Sequence, residues 1–163
     1  MVFMKTVYLS LGSNVGDRDR NLRAAIERLE APDLHVLRVS PVYETEPMEL
    51  TAQRWFLNLA VEAETTLFPK MLLTRVGRIE RDLGRVRTVA KGPRTIDIDI
   101  LFYGSSVVET ERLKIPHPSI AERRFVLAPL ADLAPYLRHP VTHKTVREML
   151  DAAPKAKVKA IST

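Results

Sequence analysis

Cysteine is absent from this chain, which removes disulfide bonds, thiolate metal sites and thiol nucleophiles together. The opening stretch Met1-Val2-Phe3-Met4-Lys5-Thr6-Val7-Tyr8 lacks the basic segment and long apolar run of a secretion signal, and no apolar run approaches membrane-spanning length. A cytoplasmic protein without a membrane partner is expected. Two glycine motifs of nucleotide-binding proteins are also missing: Gly-x-x-x-x-Gly-Lys-Ser/Thr and Gly-x-Gly-x-x-Gly. Any nucleoside triphosphate bound here must be held by side-chain cations and metal ions instead of a backbone cradle. The histidines His35, His117, His139 and His143 show no tight ligand spacing, which argues against zinc. There is no internal repeat, low-complexity block or interdomain linker.

What is present suits one compact domain over residues 1–163, with 45% apolar residues to build a core. Lysine and arginine number 25 against 20 acids, a net charge of +5. That balance favours an anionic ligand: a nucleotide, a nucleic acid or a membrane surface.

Val7 to Leu11 reads as a strand and Gly12 to Asp17 as a glycine-punctuated turn. A helix capped by Asp17 or Asp19 follows, with Leu22, Ile26 and Leu29 on its buried face. A second strand is expected around Val36, Val39 and Val42, a loop from Tyr43 to Gln53, and a third strand from Phe56 to Glu64. A helix begins near Pro69 and buries Leu72, Val76, Ile79 and Leu83 before Gly84 stops it. The basic loop Arg85 to Gly92 leads into Ile96-Asp97-Ile98-Asp99-Ile100-Leu101-Phe102, where Ile96, Ile98, Ile100 and Phe102 alternate as one buried face. A short hairpin at Val107-Val108 and Leu113-Lys114-Ile115, helices at Val126–Asp132 and Thr145–Ala152, and a loose tail from about Pro154 complete the chain. Strand-helix-strand-strand-helix-strand order describes a ferredoxin-like α+β antiparallel sheet with helices on one face, here with C-terminal additions.

Asp97 and Asp99 carry the sharpest chemical signal. Alternation puts both carboxylates on one strand face, their Cα atoms ~6.6 Å apart, a spacing that can hold one or two hard cations. Arg94 precedes them, with Arg85, Arg87 and Lys91 further back. Acid beside dense base suggests metal-bound polyphosphate. Glu80, one turn before its helix ends, reaches a nucleotide or pairs with Arg81 or Arg87. Asn58 is an amide in an apolar strand, so it bonds neighbouring backbone or reads a ligand. Phe56 shares its face, and a ring beside an amide suits a flat heterocycle. Phe125 is a core residue or a second stacking ring. His117, between two prolines, bonds a phosphate or caps a loop, with Arg123 adding a cation.

The blocks Leu11-Gly12-Ser13-Asn14, Ser40-Pro41-Val42-Tyr43-Glu44-Thr45, Phe56-Leu57-Asn58, Gly84-Arg85-Val86-Arg87, Gly92-Pro93-Arg94-Thr95-Ile96-Asp97-Ile98-Asp99 and Ile115-Pro116-His117-Pro118 occur in order. From about Val7 to about Pro135 the chain resembles the 6-hydroxymethyl-7,8-dihydropterin pyrophosphokinases of folate biosynthesis. The resemblance implies transfer of pyrophosphate from ATP to the pterin hydroxymethyl group, with release of AMP. It implies two Mg²⁺ ions on Asp97 and Asp99, with Arg85 and Arg94 acting beside them in catalysis. Glu80, Arg85, Arg87, Arg94, Ile100, His117 and Arg123 fall on the ATP side. Gly12, Thr45, Pro47, Met48, Phe56, Asn58 and Phe125 fall in the pterin pocket. The loops Tyr43–Gln53 and Arg85–Gly92 are expected to close over both substrates.

The family pattern differs from this chain at Lys91, Phe56, Pro118 and Gly77, where some relatives carry tryptophan, tyrosine, an aromatic residue and glutamine; none of these touches the aspartates. Expected partners are the two small substrates, with no nucleic acid, no membrane and a monomeric enzyme. Two other readings use the same features: a two-metal nuclease or nucleotidyltransferase, and an RNA-binding ferredoxin-like domain. Acids on the strand face, where RNA-binding domains place aromatics and bases, argue against the second.

Overall fold

The computed structural model describes residues 3–47, 53–84 and 95–161. At its centre lies β1 (Lys5–Ser13), in which every residue from Val7 to Ser13 is buried. Burial of both odd and even positions means that both faces of this strand are covered. It pairs antiparallel with β4 (Phe56–Thr65) on one side and with β5 (Asp97–Tyr103) on the other. Beyond β4 the next position is shared by two short strands. β2 (Leu34–Val39) pairs with the Thr65 half of β4, and β3 (Tyr43–Thr45) pairs with the Phe56 half. The break between them carries Pro41, and Ser40 bridges it: its N–H donates to the Ala60 carbonyl and its Oγ accepts from the Ala60 N–H.

Helix α1 (Arg18–Leu29) begins where the Asp17 carboxylate accepts from the Arg20 N–H, so Asp17 and not Asp19 is the cap. Helix α2 (Pro69–Asp82) starts on its proline and stops before Gly84, whose φ of +89° suits the residue that ends a helix. Leu22, Ala25 and Leu29 of α1 and Leu72, Val76 and Ile79 of α2 meet Val7, Leu9, Leu11, Leu59, Val61, Ile98 and Ile100 on one face of the sheet.

The opposite face is covered by α3 (Arg124–Leu133) and α4 (Val146–Ala152). Val126, Leu127, Leu130, Val146 and Met149 pack there against Tyr8, Ala60, Leu101 and Phe102. The two helices of the strand-helix order, α1 and α2, thus share one face as expected, and the C-terminal additions form a second helical layer on the other. The Tyr43 hydroxyl donates to Asp132 at 2.5 Å and ties β3 to α3. Burial, with the Asp132 carboxylate beside it, pushes that phenol up to about 12.

Three expectations are corrected. Phe102 does not share the face of Ile98 and Ile100, because the β1–β5 register shifts by one residue between Tyr8 and Leu9, opposite Leu101. This bulge sends Leu101 and Phe102 together toward α3 and α4. Tyr43 to Thr45, expected as loop, is strand because its outward pairing with β4 supplies a ladder. The stretch after Pro154, expected to be loose, holds β8 (Val158–Ala160), which pairs with β3 and closes that edge of the six-stranded sheet. The short hairpin is present as β6 (Val108–Glu109) and β7 (Lys114–Ile115). Among the described residues no helix is long and apolar enough to cross a membrane.

Candidate active site

The sheet register assembles the site. Asp97 of β5 lies opposite Gly12 of β1, Gly12 opposite Asn58 of β4, and Asn58 opposite Tyr43 of β3. These residues form one row across four strands on the α3 side of the sheet. Two interstrand steps separate Asp97 from Asn58, so their Cα atoms are ~10 Å apart. Two residues along, Asp99 lies opposite Ser10 and Ser10 opposite Ala60.

Gly12 leaves the middle of the row bare. A Cβ built there would lie 2.5 Å from Asn58 Oδ1 and 3.6 Å from the Phe56 ring. The Asn58 amide thus lies over the Gly12 backbone, in the space that a side chain at position 12 would take. Asn58 is 4% exposed, and its Nδ2 donates to Thr45 Oγ1 at 2.5 Å. That bond orients the amide and leaves its carbonyl oxygen and second N–H as a polar edge. Thr45 lies opposite the half-exposed Phe56, and buried Pro47 follows two residues on. Amide and ring therefore come from β4 and the glycine backbone from β1, with the orienting Thr45 hydroxyl supplied by β3.

At the other end are the acids. Arg123, in the turn between the short helical segment Ile120–Glu122 and α3, brings Nη1 to 3.9 Å from Asp99 Oδ2. Its guanidinium lies 5.7 Å from the centre of the Phe125 ring, close enough for a cation–π contact. His117 is docked on β5 at the bulge: its N–H donates to the Leu101 carbonyl at 3.1 Å. Its Nδ1 accepts from the Ser119 N–H at 3.2 Å, so the proton of the neutral ring sits on Nε2. Burial, with the Arg123 charge acting the same way and Asp97 opposing, lowers its pKa to about 4. At neutral pH His117 is an uncharged hydrogen-bond donor. Asp97, Asp99, His117, Arg123 and Phe125 are thereby brought together.

Glu80 and Ile100 lie elsewhere. Buried Glu80 of α2 accepts from the Ile98 N–H at 2.9 Å through Oε2, on the outward side of β5. Ile100 buries its side chain in the core beneath α1 and α2, on the strand that ends the sheet order. Met48, Arg85, Arg87 and Arg94, with Lys91, lie outside the described residues.

Sequence reasoning passed over Ser10 and Tyr43, which the register places beside Asp99 and Asn58. A serine in an apolar strand and a tyrosine in an apparent loop carry no local signal. It also missed the part played by Asn14, buried at 2%, whose Nδ2 donates to Gln53 Oε1 and the Arg54 carbonyl. Arg18 reinforces the same region, donating to Glu44 Oε2 and the Trp55 carbonyl. These bonds fix the strand ends that carry Thr45 and Phe56.

The family model described as 7,8-dihydro-6-hydroxymethylpterin-pyrophosphokinase matches residues 8–135. The chain belongs to this family. It is 49% identical over 127 residues to the 2-amino-4-hydroxy-6-hydroxymethyldihydropteridine pyrophosphokinase of Bacillus subtilis, covering 77% of this chain and 76% of that protein. The enzyme of the same name from Aquifex aeolicus is 43% identical over 145 residues, 89% of this chain and 90% of that one. The folic acid synthesis protein fol1 of Schizosaccharomyces pombe is 44% identical over 160 residues. There the match covers 98% of this chain but 22% of the relative, so the chain spans about a fifth of that protein's length. Among solved structures, the Plasmodium falciparum HPPK-DHPS protein with pteroate superposes with a TM-score of 0.74 at 17% identity, covering 92% of this chain and 42% of that one. That likeness establishes the fold, a ferredoxin-like α+β architecture. Membership of the pyrophosphokinase family brings with it an ATP-dependent kinase chemistry in folate synthesis.

Proposed function

We propose that this protein transfers the β,γ-pyrophosphoryl group of ATP to the hydroxymethyl oxygen of 6-hydroxymethyl-7,8-dihydropterin. The observation that carries the assignment of roles is the row Asp97–Gly12–Asn58, which sets an acid pair and a heterocycle-reading amide on one face. The hydroxymethyl oxygen bonds to the β-phosphorus as the α,β-bridging bond breaks; AMP leaves with the bridging oxygen and the hydroxyl proton is lost to solvent.

Asn58 reads the edge of the pterin while Phe56 and Phe125 supply ring faces, and Thr45, Pro47 and Met48 wall the pocket. Gly12 leaves the room in which the Asn58 amide lies. His117 donates from Nε2 to a phosphate oxygen, and Arg123 supplies a fixed positive charge beside Asp99. Arg85, Arg87 and Arg94 are assigned to the triphosphate, Arg85 and Arg94 acting in catalysis, and Glu80 holds the strand whose Ile100 backbone meets the nucleotide. Because the transferred group spreads its charge over phosphate oxygens, alignment and electrostatic complementarity supply the rate enhancement. No general base is needed in this account.

Among the described residues no cluster of three or more histidine, aspartate or glutamate side chains is placed to hold a metal. Two carboxylates on one strand face fit Mg²⁺, which keeps water and phosphate oxygens in most of its coordination sites. Asp97 and Asp99 would hold two such ions. When bound with ATP, they neutralise triphosphate charge and fix its geometry.

The protein acts as a cytoplasmic monomer in this reading. Asp97→Asn and Asp99→Asn, which keep size and remove charge, should each abolish most pterin-dependent AMP formation with little change in melting temperature. Unchanged turnover in both would refute the metal role.

A further inference from the structure

The family match ends at residue 135, yet a strand beyond it touches the wall of the site. β8 lies against β3 with Val158 opposite Thr45, Lys159 opposite Glu44 and Ala160 opposite Tyr43. Bonds at both ends hold the register. The Glu46 N–H donates to the Lys157 carbonyl and the Lys157 N–H to Glu46 Oε1, while the Ile161 N–H donates to the Val42 carbonyl. Alternation in an antiparallel ladder then directs the N–H and C=O of Lys159 at Glu44, and the N–H of Ala160 away from β3.

β3 contributes three residues to the sheet, too few to hold a strand in place by one ladder alone. Its Thr45 accepts the bond that orients Asn58. We infer that residues 157–161 are a positioning element for the pterin side of the site: by completing the second ladder on β3, they hold Thr45 where it aims the Asn58 amide. The segment touches neither substrate in this account. The inference rests on the reading of Asn58 as a pterin contact.

A pair of proline variants separates this role from general stability. Lys159→Pro removes an N–H that faces β3, whereas Ala160→Pro removes one that faces solvent; both residues are exposed and both substitutions stiffen the chain alike. With Mg²⁺ and both substrates, Lys159→Pro should raise the KM for the pterin roughly five- to tenfold, the size of one lost hydrogen bond, leaving kcat and the KM for ATP within about twofold. Ala160→Pro and Lys159→Ala should resemble the parent. Equal pterin KM values for the two proline variants, or a parallel rise in both KM values for Lys159→Pro, would overturn the inference. Should Lys159→Pro fail to fold, Glu46→Ala, which removes the acceptor for the Lys157 N–H, decides on the same criterion. Asn58→Ala is measured alongside: an unchanged pterin KM there overturns the reading of the pocket and the inference with it, whereas a raised KM there without selectivity at position 159 overturns the inference alone.

Discussion

Gly12→Ala is the perturbation whose outcome the geometry fixes most narrowly. The added methyl would lie 2.5 Å from Asn58 Oδ1, while the next atoms, Asn58 Cγ and a Phe56 ring carbon, stand at an ordinary 3.6 Å. The Gly12 backbone is not in the left-handed region, so conformation alone does not forbid alanine. The amide must therefore move. It is buried at 4% exposure and bonded to Thr45, so moving it breaks a buried hydrogen bond at about 1–3 kcal/mol, with overpacking adding about 1 kcal/mol or more. A loss of ~2–4 kcal/mol in unfolding free energy follows, together with at least a tenfold rise in pterin KM. The decisive assay is the double-mutant cycle by denaturant unfolding. In an Asn58→Ala background the colliding oxygen is gone, so Gly12→Ala should cost less than about 0.5 kcal/mol, or stabilise slightly by restricting the unfolded chain. An equal cost in both backgrounds would refute the clash, and parent-like stability of Gly12→Ala would refute the packing of the row.

The ligand-free protein should lose stability as pH falls from 6.5 toward about 4, because the unfolded His117 ring takes up a proton near 6.5 and the folded one only near about 4. The full contribution is present above the unfolded value, and partial exposure of the ring holds it to about 2 kcal/mol. His117→Asn, which keeps an acceptor for the Ser119 N–H, should flatten this part of the stability–pH profile; an unchanged slope would count against it. Arg124 donates to the carbonyls of Leu150, Ala153 and Pro154 at the end of α4. Arg124→Ala should therefore cost ~1–3 kcal/mol in thermal or denaturant unfolding, with Arg124→Lys recovering part of it; no loss would show that the cap is idle.

How far the sequence foretold the structure depended on whether the deciding contact was local. The alternation around Asp97 and Asp99 correctly put both carboxylates on one face, but the departure of Phe102 from that pattern was invisible. Leu101 and Phe102 are both apolar, and nothing in either residue type marks a bulge. The near-continuous apolar runs of β1 and β4 are the sign in the sequence of a sheet covered on both faces, and the C-terminal additions supply the second cover. The lysine- and alanine-rich stretch after Pro154 suggested a loose tail; lysines are equally at home on a sheet edge such as β8, where their side chains face water and their backbone pairs. Asn58 stood out as an amide in an apolar strand, whereas its partner Thr45 is joined to it only through strand pairing. The ordered blocks identified the family because they collect residues from every strand of the row. The Gly-Pro-Arg block itself extends beyond the described residues.

Pyrophosphoryl transfer to the pterin is tested most directly by following the phosphorus atoms. The protein is incubated with Mg²⁺, 6-hydroxymethyl-7,8-dihydropterin and ATP radiolabelled at either the α or the γ position, and the products are separated by chromatography. Label from the α position should appear in AMP and label from the γ position in the pterin product, both only when pterin is present. Formation of ADP with γ label on the pterin, or AMP formation without pterin, would contradict it.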